Sequence, residues 1–196
     1  MIGLMKNNKP INLILFGRSG SGKGTQAELL AKHFNNTFYV STGDLMRDLA
    51  LHNTDAGERI KKILDKGGLP FDQMATMLWM REISYKLEKD QNLVCDGFPR
   101  RFNEARDLYD FLVWLERIDN TKAMVINISG EEAMKRLLKR DRDDDDESAI
   151  NERLNWYKER VVSAINFFKE KGILVEINGE QTVEKVFEEI LNKIDG

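Results

Sequence analysis

A single cysteine, two histidines and a near-balance of charge set the first limits on this 196-residue chain. Cys95 alone excludes an intramolecular disulfide and any zinc site built from several cysteines. Within the apolar run Leu93-Val94-Cys95 it reads as a buried strand thiol. No apolar stretch approaches the ~20 residues that a membrane-spanning helix needs. The leader MIGLMKNNKP lacks the apolar centre of a signal peptide, so the expected location is the cytoplasm. The formal net charge of -3 gives no general attraction to nucleic acid or to an anionic membrane. Any bound anion must then be held by a local cluster of cations. No repeat, low-complexity linker or domain boundary interrupts the chain. Its length, with 41% hydrophobic residues, suits one domain over residues 1–196 with its own core.

What is present reads as alternating strands and helices. INLILF, from Ile11 to Phe16, is a continuous apolar run between Pro10 and Gly17, the pattern of a strand buried on both faces. Further short apolar runs fall at Thr37–Val40, Asn92–Cys95, Lys122–Ile128 and Ile173–Ile177. Helical periodicity fills the intervals and marks a last helix through Val183, Val186, Phe187, Ile190, Leu191 and Ile194. The expected architecture is therefore α/β, a five-stranded parallel sheet with helices on both faces. The acidic run DRDDDDE, Asp141 to Glu147, reads as a solvated loop ahead of a helix.

The sharpest local signal is GRSGSGKGTQ, Gly17 to Gln26, at the junction between the first strand and the helix after it. Phosphate oxygens need several donors converging on a small volume, and glycines let a backbone fold its N–H groups inward. A helix start adds unpaired N–H groups and a favourable dipole, and a lysine can reach the β- and γ-phosphates as a mobile charge. The common phosphate loop has Ser or Thr directly after its lysine as a magnesium ligand. Here Gly24 follows Lys23, and Thr25 comes one place later.

The GKGTQ ending resembles the adenylate kinase branch of the nucleoside monophosphate kinases, and two more motifs carry the likeness further. STGDLMR, Ser41 to Arg47, follows the second strand, and DGFPR, Asp96 to Arg100, follows the third. RLLKR, Arg136 to Arg140, then Arg142 and Arg153, match the arginines of the lid region. The resemblance implies a P-loop kinase fold and transfer of a phosphoryl group from ATP to AMP, giving two ADP, with Mg2+. By the same resemblance Gly20, Ser21, Gly22, Lys23, Gly24 and Thr25 cradle the ATP phosphates, Arg136 and Arg140 line the ATP site, and the backbone near Gln181 meets the adenine. Thr42, Arg47, Gly68, Leu69, Pro70, Gly97, Phe98, Pro99 and Arg100 hold the monophosphate. Residues 41–70 form the monophosphate segment and residues 136–153 a short lid. Arg142 and Arg153 reach both substrates when that lid closes, and Asp96 positions magnesium through water. The catalytic set is Lys23, Arg100, Arg140, Arg142 and Arg153. Only Asp141 separates Arg140 from Arg142, so the lid is shorter than the usual short form, and its lack of cysteine excludes the zinc-bearing type. Similar short-lid kinases imply a monomer.

This chemistry is consistent with having only two histidines. The acceptor is already a phosphate oxygen, so no general base is needed, and His33 and His52 are expected on helices outside every motif. The obstacle is repulsion between two anionic substrates, which positioned cations relieve. One departure bears on the acceptor. Eight residues beyond the Asp of DGFPR, AMP-specific members have Gln, and this chain has Glu104. An amide can donate to adenine N1 and accept from N6, whereas a carboxylate only accepts and suits the two donors of guanine better. Three readings stand open: Glu104 points away while Asn103 or a backbone group reads the base, Glu104 is protonated or contacts only N6, or the acceptor is another nucleotide. Asp144 and Asp145 either orient the lid arginines or belong to the solvated run. Arg18 either adds charge near the phosphates or faces solvent, and Arg106 and Arg117 are expected at the surface. Two other classes compete: a nucleotide-binding switch without turnover, and an assembly protein using the aromatic helix around Trp156, Tyr157 and Phe167.

Overall fold

In the computed structural model, residues 9–68, 70–139, 154–155 and 157–195 are described. Five strands form one sheet in the order β2-β3-β1-β4-β5, and every pairing is parallel. They are β1 (Asn12–Phe16), β2 (Thr37–Ser41), β3 (Asn92–Asp96), β4 (Thr121–Asn127) and β5 (Leu174–Asn178), at the five places the apolar runs predict. Helices α1 (Lys23–His33), α2 (Thr42–Ala50), α3 (Asp55–Leu64), α4 (Asp72–Lys86), α5 (Phe102–Trp114), α6 (Gly130–Leu138), α7 (Val162–Glu170) and α8 (Val183–Asp195) fill the connections. A π-helical turn, Tyr157–Val161, leads into α7.

Side chains alternate across a strand, so a run buried throughout must meet a core on each face. β1 does this. Leu13 and Leu15 join Val94, Met124 and Ile126 in a core closed by Ala27 and Leu30 of α1 and Val186 and Ile190 of α8. Ile14 and Phe16 join Leu93, Cys95 and Val125 in the opposite core, closed by Trp79 of α4, Leu108 of α5 and Phe168 of α7. Cys95 is fully buried there, and desolvation pushes its thiol well above the ordinary range, so it is inert as a nucleophile.

β1 is central. Its crossover leads outward to β2 on one side, and β3 crosses back past β1 to β4 on the other. Crossovers that part in this way leave a crevice outside the carboxyl ends of the strands. Leu15 pairs with Asp96, and Ser41 pairs with Asp96 from the other side, so the ends of β1, β2 and β3 sit together.

The opposite end of the sheet is tied by Arg117, which is half-buried rather than a surface residue as expected. Its guanidinium donates to Asn12 Oδ1 (3.1 Å) and to the carbonyls of Gln91 (2.8 Å), Glu88 (3.0 Å) and Lys89 (2.8 Å). Truncation would leave two partly buried acceptors, Asn12 Oδ1 and the Gln91 carbonyl, without this donor. Arg117→Ala is expected to lower unfolding free energy by about 3 kcal/mol, read from urea denaturation, with kcat/KM unchanged because the residue lies at the far ends of the strands.

Candidate active site

Three strand ends build the site. After β1 the chain turns through residues 18–21, closed by the Ser21 N–H donating to the Arg18 carbonyl at 3.0 Å. Gly20 has φ +83°, and a Cβ there would lie 2.9 Å from the Ala133 carbonyl of α6, so both conformation and space require glycine. α1 begins at Lys23 behind Gly22, with no side chain capping its amides and no acid in its first turn. A helix start left in this state offers its N–H groups and dipole to an anion.

The end of β2 differs. Ser41 caps α2 by accepting from the Asp44 N–H at 3.4 Å. The buried Thr42 hydroxyl donates to the Gly97 carbonyl at 2.8 Å, and the exposed Arg47 pairs with Asp44 at 2.6 Å. From the end of β3, Arg100 Nε donates to the same Gly97 carbonyl at 2.6 Å. Gly97, at φ +78°, would bring a Cβ to 3.0 Å from Thr42 Oγ1. One backbone oxygen therefore joins the STGD and DGFPR segments, and no side chain fits between them. Phe98–Pro99 is a cis peptide.

These segments line one cleft. Its walls include Gly20, Lys23, Gly24, Arg47, Gly68, Asp96, Gly97, Phe98, Pro99 and Arg100 of the residues expected from sequence, together with Arg18, for which the sequence left two readings open, and Tyr157, which was not expected there. Thr42, Pro70 and Glu104 line an adjoining small hollow that shares Gly97 and Arg100 with it. Ser21 is buried behind the loop and Thr25 is exposed. Gly22, Arg136 and Gln181 stand outside the lining of both. Arg136 donates to Glu132 (2.7 Å) and to the Gly179 carbonyl (3.0 Å), which makes it a neighbour of the turn carrying Gln181. Gln181 donates to the Asn178 carbonyl and to Glu189. Leu69, Arg140, Arg142, Arg153, Asp144 and Asp145 lie outside the described residues.

Asp96 carries two signs of function. Its Oδ2 accepts from the Tyr39 hydroxyl at 3.2 Å, while Oδ1 is buried without a hydrogen-bond partner. Burial first, and then the charge of Asp96, push the Tyr39 hydroxyl far above its ordinary range, so it remains a donor. Among the described residues no group of three or more His, Cys, Asp or Glu side chains could hold a metal.

At Glu104 the protein itself occupies both carboxyl oxygens. Trp79 Nε1 donates to Oε1 at 3.1 Å, and the Arg100 backbone N–H donates to Oε2 at 2.7 Å. It stands in the first turn of α5 and reaches back to an amide before the helix, a variant of the capping box. The side chain is 3% exposed, and desolvation raises its pKa against the opposing pull of the Arg100 amide and charge, the Trp79 donor and Arg101. Trp79 is itself fully buried and stacked on Phe98, with ring centroids 5.4 Å apart. The sequence offers no marker for this pairing, since 25 residues separate Trp79 from Glu104. His33 packs edge-on against Phe34 and Phe187, and His52 lies just past the end of α2 rather than within a helix; neither lines the cleft.

Comparison with known proteins agrees with this arrangement. The adenylate kinase family model matches residues 15–173. The chain is 33% identical over 192 residues to an adenylate kinase of Azobacteroides pseudotrichonymphae genomovar. CFP2, covering 94% of this chain and 97% of that protein. It is 34% identical over 177 residues to an adenylate kinase of Prochlorococcus marinus (strain NATL1A), covering 89% and 93% respectively. An adenylate kinase of Leptospira biflexa serovar Patoc is 33% identical over 186 residues, covering 93% of this chain and 98% of that protein. With a parallel sheet, an uncapped helix start behind a glycine-rich turn and three motif segments meeting in one cleft, the chain belongs to the adenylate kinase family and is a nucleoside monophosphate kinase.

Proposed function

We propose that the chain transfers the γ-phosphoryl group of ATP to AMP, forming two molecules of ADP. The observation that carries this is the single cleft in which Lys23 from the first strand end, Arg47 beyond the second, and Asp96 and Arg100 from the third converge. An AMP phosphate oxygen attacks the γ-phosphorus, the bond to the β–γ bridging oxygen breaks, and ADP leaves with the electron pair. No proton need be removed from the acceptor. The uncapped amides of α1 and the phosphate loop, Gly20 to Thr25, bind the donor phosphates, and Lys23 follows the charge that shifts toward the leaving group. Arg47 and Arg100 hold the acceptor phosphate, with Thr42, Gly68, Leu69, Pro70 and the Gly97–Pro99 turn shaping its pocket. In this reading Arg136 and Arg140 line the ATP site, the backbone near Gln181 meets the adenine, Arg142 and Arg153 reach across both substrates, and residues 136–153 form a lid that excludes water.

Mg2+ supplies charge neutralisation across the donor phosphates when bound. The orphaned, buried Oδ1 of Asp96 fits a magnesium-bound water, and Tyr39 fixes the orientation of that carboxyl. The protein is proposed to act as a cytoplasmic monomer. No helix among the described residues is long and apolar enough to cross a membrane.

A second reading, in which another base is preferred, is favoured by one observation: Glu104 lines the hollow as an acceptor already fixed by two internal donors. The test is ADP formation from Mg-ATP with AMP, GMP, CMP and UMP in turn. AMP is expected to give the highest kcat/KM. A higher value with GMP would transfer the assignment to the second reading, and ATP hydrolysis without any acceptor dependence would reject both.

A further inference from the structure

Arg18 occupies a loop position that the sequence leaves open to a solvent-facing role, yet it lines the cleft together with Lys23 and Arg100. Its guanidinium carbon sits 5.0 Å from the centre of the Tyr157 ring, and a Cβ on Gly130 would come within 3.5 Å of its Nη1. Tyr157 is 9% exposed. The arginine is therefore clasped between the aromatic ring and the start of α6, not free in solvent.

A guanidinium held over an aromatic ring keeps its charge and its N–H donors, which can grip phosphate oxygens bidentately. Among the described residues Arg18 forms no ion pair with an acid. Among the described residues the cleft lining includes Arg18, Lys23, Arg47 and Arg100 with the acid Asp96, and Arg47 is paired with Asp44 at 2.6 Å. The start of α6 beside Arg18 is capped by Ser129 and carries Glu131 and Glu132 in its first turn. The turn closed by the Ser21 amide and the Arg18 carbonyl makes Arg18 the first residue of the phosphate loop's own turn, so its position follows that of the loop.

We propose that Arg18 is an additional phosphate-binding residue of the donor site, with Tyr157 as the positioning residue that holds its guanidinium flat against the cleft wall. The inference rests on the donor reading of that cleft, and it adds a cation supplied by the phosphate loop itself to those at the motif positions.

The test measures binding of inorganic tripolyphosphate and of Mg-ATP by calorimetry, alongside steady-state ADP formation. Arg18→Ala is expected to raise the Kd for tripolyphosphate about tenfold, to raise KM for ATP more than it lowers kcat, and to flatten the salt dependence of binding. Tyr157→Leu should weaken binding several-fold, and Tyr157→Phe, which keeps the ring, should restore it. An unchanged Kd in Arg18→Ala, with only a lower Tm, would make the arginine a packing residue and overturn the proposal. Equal loss in Tyr157→Leu and Tyr157→Phe would overturn the positioning role. Tripolyphosphate binding is read without turnover, so a wild type that binds it but forms no ADP would reject the kinase reading while leaving that of Arg18 standing.

Discussion

Lys23→Met is expected to lower kcat for ADP formation about 10³-fold while the folded structure survives. Lys23 opens α1 at the point where the helix has neither a capping side chain nor an acid in its first turn. The uncapped amides there favour an anion, and the Lys23 ammonium is able to move with the transferring phosphoryl. Methionine matches the length of the stem and removes the charge. Because the residue is only partly buried and belongs to neither core cluster, unfolding midpoints should shift little. Lys23→Arg should recover only part of the rate, since a planar fork cannot replace a compact charge in a turn built around an ammonium. The measurement is kcat and KM for Mg-ATP with a coupled ADP assay, paired with thermal melts. A loss of less than tenfold in kcat with a normal fold would place the catalytic charge elsewhere and separate this cleft from the reaction.

The sheet was legible because burial on both faces leaves an unmistakable pattern: NLILF has no polar residue after Asn12, and both halves of its alternation found a core. The phosphate loop was legible because its glycines answer local demands, a positive φ and the close approach of α6 at Gly20. The hydrogen bonds that set the acceptor side were not. Gly97's carbonyl accepts from Thr42 and Arg100, and Tyr39 holds Asp96, but the partners come from different strand ends and only the sheet register makes them neighbours. Arg18 and Arg117 show the same limit in reverse. A lone arginine in a sequence resembles any surface cation, and its role is decided by the ring of Tyr157 in one case and by the carbonyls of residues 88, 89 and 91 in the other.

Glu104→Gln alone is expected not to improve AMP as an acceptor, although glutamine is the residue of the AMP-specific pattern; the gain should emerge only with Trp79→Phe. Two donors, the Trp79 indole N–H and the Arg100 amide, converge on the side chain at 104. A carboxylate satisfies both, but a glutamine has one acceptor oxygen, so its NH₂ must face one of the donors. That leaves a buried donor unpaired and costs about 1–3 kcal/mol in stability. Phenylalanine at 79 keeps the stacking partner for Phe98 and removes the indole N–H. The introduced amide oxygen can then accept from Arg100 while its NH₂ turns into the hollow toward adenine N1. The double variant should raise kcat/KM for AMP about tenfold relative to Glu104→Gln, the scale of one recovered hydrogen bond. A pH profile separates the protonation states. Desolvation raises the Glu104 pKa, and the protonated acid can donate to N1 as an amide does, so the wild type should prefer AMP over GMP most strongly at low pH. That preference should decline as pH rises through the folded pKa and the proton is lost, whereas in the double variant it should stay flat. The folded state holds this proton more tightly than the unfolded chain, so the same residue favours folding at low pH and ceases to do so above its folded pKa. A full tenfold gain from Glu104→Gln by itself would mean that the Trp79 donor does not hold this side chain away from the base, and a wild-type AMP-to-GMP ratio independent of pH would mean that the carboxyl at 104 serves α5 alone and the base is read by another group.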